Sequence, residues 1–275
     1  LVRLLAALLL AVTAAAGAAE PDWHGVVLRT CETTGGYPPF AFPADDGHAQ
    51  GFSVDLLNEA IAGTDLRIDV AFLPNRRCDN DIDQGRMDLS MEETWDPDVA
   101  SRWLPTDAIY EVTMVMFYDR LRHPEGLTAD AIRAQPQKYH GCGILGFTYE
   151  DFPPGQVDDR SYKYADAFGR MLQGGCDFVP DYLEFGAAYR LRGKPLFADP
   201  RVAWARYPLL NRPAIPTKYP FGDKAPFFFY LRPGFPHARE LIGRINDTIA
   251  SWRRTGHDRE VLGRYIDPAF IGGKP

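Results

Sequence analysis

Two adjacent carboxylates, Glu92 and Glu93, close the stretch "MDLSMEETW", and Trp95 follows two residues later. Acids at a strand end beside an indole suit a cationic or amine-bearing ligand, through charge pairing and cation–π contact. Successive strand side chains point to opposite faces, so one of the pair, Glu92, is expected to face inward. A further acid, Asp181, ends "GGCDFVPDY" beside Tyr182. Tyr37 lies in "GGYPPF", where prolines fix the backbone and present a ring; Phe40 of the same turn reads as core. The cysteines Cys31, Cys78, Cys142 and Cys176 show no C-x-x-C or paired-histidine spacing, so no metal site is expected. Neither G-x-S-x-G, H-E-x-x-H nor a phosphate-binding loop occurs, so the reading is of a binder without a cofactor and not of an enzyme.

Composition narrows the setting. The 275 residues carry a net charge of −7, with 45% hydrophobic and 24% charged side chains, which suits one large or two medium globular domains. An acidic balance argues against nucleic acid as a partner. The start, "LVRLLAALLLAVTAAAGAAE", combines one arginine, a short apolar run and Ala16-Gly17-Ala18. That pattern is expected to be a signal peptide over residues 1–19. Export would make the four cysteines disulfide formers, but spacing alone leaves three pairings open.

The elements that must hold these residues alternate along the chain. "VVLRTC" (26–31) reads as a strand, 52–62 as an amphipathic helix, and "RIDVAF" (67–72) and "MDLSM" (87–91) as further strands. A longer strand is expected over 110–119. The alternation then restarts with helix 128–135, strand 139–145, helix 164–173, strand 176–179 and helix 182–190. Residues 208–226 read as irregular, "FFFYLR" (227–232) as a buried strand, and two helices close the chain, the first stopping at Gly256. Repeated βα alternation implies mainly parallel sheets covered by helices. Two such units leave a cleft beyond the strand ends as the default ligand site.

Five segments in order resemble the bacterial extracellular solute-binding proteins of family 3, the periplasmic receptors of amino-acid ABC transporters. They are "YPPFAFPADDGHAQGFSVDLLNEAIA", "DIDQGRMDLSMEETW", "HGCGILGFTYED", "MLQGGCDFVPDYLEFGAAY" and "FFFYLRPGFPHARELIGRINDTIASWRRTG". The resemblance implies an α/β, type II periplasmic-binding-protein fold, with two lobes joined by a two-strand hinge. Lobe 1 would comprise residues 22–118 and 220–275, and lobe 2 residues 119–219. It further implies a monomer in the periplasm that captures a small-molecule solute by hinge closure and delivers it to an inner-membrane ABC permease. A periplasmic dehydratase-like enzyme and a ligand-binding partner of a membrane sensor are the alternatives on the same scaffold.

By the same resemblance Tyr37 lies against the ligand, and Gly146, Phe147 and Thr148 match a ligand-binding loop. The ligand-facing acid falls at Tyr182 or, one place earlier, at Asp181. Relatives carry Thr-x-x-Arg where this chain has "TWDPDVASR", so Arg102 is the nearest candidate for a carboxylate-gripping arginine and is displaced from the matching place. With two lobes, a bridge between them would pin the hinge, so Cys31–Cys78 and Cys142–Cys176 are the expected pairs.

Overall fold

The computed structural model describes residues 21–147, 149, 151–193, 195–208, 215 and 224–272; the expected signal peptide, Thr148 and most of the segment 208–226 lie outside these. In chain order the elements are β1 (Val27–Thr33), β2 (Phe42–Pro43), β3 (Ala49–Gln50), α1 (Phe52–Ala60), β4 (Arg67–Leu73), α2 (Asn75–Asp83), β5 (Leu89–Glu93), α3 (Pro97–Arg102), β6 (Leu104–Pro105) and β7 (Tyr110–Val112). There follow β8 (Met114–Asp119), α4 (Ala129–Ala134), β9 (Gly141–Ile144), β10 (Val157–Ser161), α5 (Tyr164–Leu172), β11 (Phe178–Tyr182), α6 (Leu183–Leu191), α7 (Pro195–Ala198) and β12 (Val202–Arg206). The chain closes with β13 (Ala225–Leu231), α8 (Ala238–Thr255), α9 (His257–Gly263) and α10 (Pro268–Gly272).

Two sheets result. The first runs β4-β1-β5-β13-β6, with β7 also paired to β13; the second runs β10-β9-β11-β8-β12. β1, β4 and β5 are parallel, as are β9, β10 and β11, which is the geometry that helical crossovers impose. The strands β13, β8 and β12 run antiparallel to their neighbours, so each sheet is mixed. The stretch 110–119, read from sequence as one strand, is two: β7 belongs to the first sheet and β8 to the second, with Thr113 between them.

Local sequence explains the elements nearest the cleft. Gly36 (φ 70°) and Gly51 (φ 128°) hold backbone conformations that side-chain-bearing residues avoid. A Cβ on Gly36 would stand 2.3 Å from Phe42 Cα, and one on Gly51 would stand 2.2 Å from the Phe40 carbonyl oxygen. These glycines let the Tyr37–Phe40 turn, whose Pro38–Pro39 peptide is cis, fold back onto the start of α1. The turn is tied there by Phe52 N–H to Pro39 O and Ser53 N–H to Phe40 O.

Helix α1 buries Phe52, Val54, Leu56, Leu57 and Ala60, and packs against α8. On α8 the buried residues Leu241, Ile245, Ile249 and Trp252 recur every three or four positions, which is one helical face. Each such side chain contributes about 1.5–3 kcal/mol by leaving water. Gly256 (φ 77°) ends α8 in the left-handed conformation, its N–H donating to Trp252 O. The cysteines pair Cys31–Cys78 and Cys142–Cys176, each bridge within the part of the chain that builds a single sheet.

Candidate functional site

The two sheets face each other across a set of aromatic rings. Tyr110, on β7, stacks on Phe227 of β13 (5.2 Å between centroids) and on Phe40 (3.6 Å, 5° between planes). Phe40 neighbours Tyr37 at 5.9 Å. Tyr37 then stacks at 5.5 Å on Phe185 of α6, and Phe185 meets Tyr164 of α5 at 4.1 Å. The series therefore passes from the first sheet's body to the second's between Tyr37 and Phe185. The bodies also approach at their rims: Arg192 lies 4.5 Å over the Phe42 ring, and a Cβ on Gly146 would sit 3.0 Å from Asn75 Nδ2.

A carboxyl group stands on each side of this series. Glu92 is in the last turn of β5 with φ 58°, a left-handed conformation that is uncommon outside glycine. The register of β5 with β13 is irregular at this point, so the strand ends in a twist that turns Glu92 toward Tyr110, whose hydroxyl donates to Glu92 Oε2. Burial pushes the Glu92 carboxyl up to about 7; the Tyr110 and Ser53 hydroxyls oppose the shift and neighbouring Glu93 adds to it. On the far side, Asp181 at the end of β11 is 5% exposed and accepts the Tyr182 N–H at 2.7 Å. Burial raises it too, to about 7, with Tyr182 N–H and Tyr164 only partly opposing.

Among the described residues, no cation acts on either carboxyl. Instead, more acid surrounds them. Burial and then the charge of Glu92 raise Glu32 well above the carboxylate range, and Glu93, which accepts from Ser90 Oγ at 2.5 Å, is also raised by burial. Burial first, then Asp181, Tyr182, Glu92 and Glu32, push the Tyr37 phenol upward, so this ring feels the acids of both sides. Among the described residues, Glu92 Oε1, Ser53 Oγ and Tyr164 Oη miss full hydrogen-bonding geometry, although Ser53 lies near enough to Glu92, and Tyr164 to Asp181, to act on their carboxyls. Unsatisfied buried atoms cost free energy, and a ligand able to donate hydrogen bonds would satisfy them.

The expected site residues fall into two groups. Tyr37, Glu92, Asp181 and Tyr182 come together, Tyr182 packing edge-on against Phe227 at 5.5 Å. Phe147 meets the same cluster through Tyr164 at 6.2 Å, and Gly146 is at the rim; Thr148 lies outside the described residues. Trp95 instead packs on Phe228 and Tyr230 with Val99, Ala100 and Trp103, on the face of β13 opposite Phe227. Arg102 is exposed at the end of α3, donating to Asp98 O at 3.4 Å. Sequence reasoning missed Tyr110, Phe185, Tyr164, Ser53 and Glu32. The aromatics Tyr164 and Phe185 on α5 and α6 were the available signal.

This arrangement, two α/β bodies meeting at an aromatic seam, is the type II periplasmic-binding-protein fold. No protein-family model matches the chain, and no curated protein sequence does. Solved structures match it over most of its length. An ancestral cationic amino-acid solute-binding protein superposes with a TM-score of 0.60 at 18% identity, over 87% of this chain and 95% of that one. A binding component of an ABC transporter from Wolinella succinogenes, complexed with lysine, gives 0.65 at 15% identity, covering 87% and 95%. A histidine kinase sensor domain similar to periplasmic binding proteins gives 0.65 at 17%, covering 88% and 96%. At these identities the likeness establishes the fold.

Proposed function

We propose that the chain is a solute-binding receptor that closes its two lobes around a small amine-bearing solute and delivers it to a membrane permease. The observation that carries this reading is the pair of buried carboxyls, Glu92 and Asp181, contributed by opposite lobes and meeting no cationic partner among the described residues. A bound ammonium would ionise both, satisfy the orphaned oxygen of Glu92, and favour closure because it contacts both walls. Tyr37 and Phe185, stacked on each other across the seam, part on opening to receive the ligand's apolar part, and Tyr110 holds Glu92 in place. Arg102, exposed on α3, is not assigned a carboxylate-gripping role, and Trp95 is assigned to packing.

The lobes follow the sheets, the chain passing from the first to the second at residue 113 and having returned by β13. By analogy with the fold, the setting is the periplasm after signal-peptide removal, and the protein acts as a monomer without catalysis. A sensor role is the second reading, favoured by the likeness to a histidine kinase sensor domain. Thermal-shift screening of ligand-stripped protein against amines, amino acids and organic acids tests the binding reading, since a ligand raises the melting temperature by mass action. Stabilisation by amines and not by acids is expected; stabilisation only by carboxylic acids would overturn it. Capture of a permease rather than a kinase by the liganded form separates transport from sensing.

A further inference from the structure

Building on the amine reading above, we propose that the ligand carries two cationic groups and no carboxylate, one ammonium meeting Glu92 and the other Asp181. The placement of the acids is the argument. Glu92 hangs from β5 of the first lobe between Tyr110, Ser53, Glu93 and Glu32; Asp181 ends β11 of the second, facing Tyr164, Tyr182, Tyr149 and Tyr37. The two carboxyls stand on opposite walls of one aromatic seam, and neither is among the groups that act on the other, so one ammonium does not pair closely with both. A single charge would answer one acid and leave the other protonated, without the gain of an ion pair. A ligand carboxylate would meet acid at both ends, while Arg102 is exposed on α3 and already donates to Asp98 O. An α,ω-diamine answers both acids, threads its methylenes along Tyr37 and Phe185 once these stacked rings part, and gives Glu92 Oε1 a hydrogen-bond donor.

Calorimetric titration at pH 7 with 1,4-diaminobutane, 1,5-diaminopentane, 1-aminobutane and lysine tests this. A diamine should bind at least tenfold tighter than 1-aminobutane or lysine, because removing one member of a desolvated charge pair costs affinity on that scale. Glu92→Gln and Asp181→Asn should each bring the diamine down to the monoamine's affinity. Repeated in buffers of different ionisation enthalpy, the diamine should release more protons than the monoamine, since burial holds both carboxyls partly protonated. The two variants place a neutral amide where a charge was buried, so unliganded they should melt no lower than the parent; a lower melting point would mean the carboxyls are structural and would overturn the proposal. Lysine equal to the diamine would mean that the carboxylate has its own partner, and a monoamine equal to the diamine would mean that one acid is idle; either sinks the diamine inference and leaves the amine reading standing. Failure of every amine to bind would remove both.

A separate observation concerns the chain's end. After α9, the Tyr265 hydroxyl donates to Asp55 Oδ2 on α1 at 2.9 Å and its ring meets Phe42 at 5.8 Å, both on the first lobe. Within two residues the contacts change lobe. Ile266 is buried with Ala187 and Ala188, Asp267 N–H donates to Ala187 O at 3.0 Å, and Arg190 Nε donates to Asp267 Oδ2 at 3.1 Å. Phe270 of α10 then packs on Phe117 and covers Gly186, where a Cβ would come within 3.0 Å of its ring. We infer that α10 is a strap, a third tie across the lobes that must undock or stretch when the cleft opens. Scattering from ligand-free Phe270→Ala should give a larger radius of gyration than the parent at unchanged helix content. Arg190→Ala, which loosens the same tie from a solvent-facing position, should move the radius the same way and covers the case in which Phe270→Ala fails to fold. An unchanged radius in Arg190→Ala, and in Phe270→Ala if it folds, would show that α10 merely rides on the second lobe.

Discussion

Glu184→Ala should unfasten the crossing between β7 and β8. The Glu184 carboxyl, in the first turn of α6 and 5% exposed, accepts the Thr113 N–H at 2.8 Å and the Thr113 hydroxyl at 3.1 Å, while Leu183 N–H donates to Thr113 O at 2.9 Å. Thr113 is therefore held on three sides at the residue where the chain leaves one sheet for the other. Truncation to alanine strands a buried backbone donor, which costs about 1–3 kcal/mol. For a protein of this size each kcal/mol lowers the melting temperature by about 2–4 °C, so a fall of roughly 2–12 °C is expected. Glu184→Gln keeps an acceptor for the N–H and removes a carboxyl that burial raises, at the loss of attraction to Lys224. It should lose less than half as much. Circular-dichroism melts of the ligand-free protein measure both. A silent alanine variant, or a glutamine variant as damaged as alanine, would refute the reasoning about this contact.

Further outcomes follow from other contacts. Because Glu92 and Asp181 are raised to about 7, above their unfolded values, the folded protein binds more protons than the unfolded chain between about pH 4 and 7. The stability these groups contribute is thus present in acid and lost as pH rises through 7. Urea unfolding of the unliganded protein should show that decline, and the double variant Glu92→Gln with Asp181→Asn should make it shallower, the raised acids Glu32, Glu93 and Glu184 keeping the remainder. Asp88, 2% exposed, accepts Arg29 Nε at 2.9 Å and also pairs with Arg232, and these hydrogen bonds bring its pKa below the usual carboxylate value despite burial. Asp88→Ala should destabilise by about 2–3 kcal/mol in urea, less than a fully buried pair because Arg29 is half exposed. Reducing the bridges, which link residues 47 and 34 positions apart, should cost up to about 4 kcal/mol each in the chain-entropy treatment, measured as a shift in urea midpoint with reductant.

Much of the architecture was legible because it rests on local pattern. The α8 face recurs at helical spacing, Gly256 stops it, and the alternation of strands and helices announces parallel sheets. The strand over 110–119 was misread because Val112 and Met114 continue the same apolar run; only the distant Glu184 carboxyl marks Thr113 as the break. Short elements such as α3, β12 and α10 escaped for a related reason, since their order comes from partners elsewhere in the chain. Within the site, Glu92 and Asp181 were visible as acids at strand ends. The seam between them was not, because Tyr37 and Phe185 meet across 148 positions and no periodicity records such a contact. Trp95 follows the irregular end of β5 onto the other face of β13, and alternation counted through a left-handed residue cannot place it.

Small-angle scattering of ligand-stripped protein, alone and with saturating 1,4-diaminobutane or lysine, tests most directly the claim that a cleft closes on an amine. Occupancy is checked by calorimetry on the same samples. The bound protein should have the smaller radius of gyration, with an unchanged circular-dichroism spectrum, as rigid-body closure requires. An unchanged radius at proven saturation, or chemical turnover of the bound amine, would contradict the account.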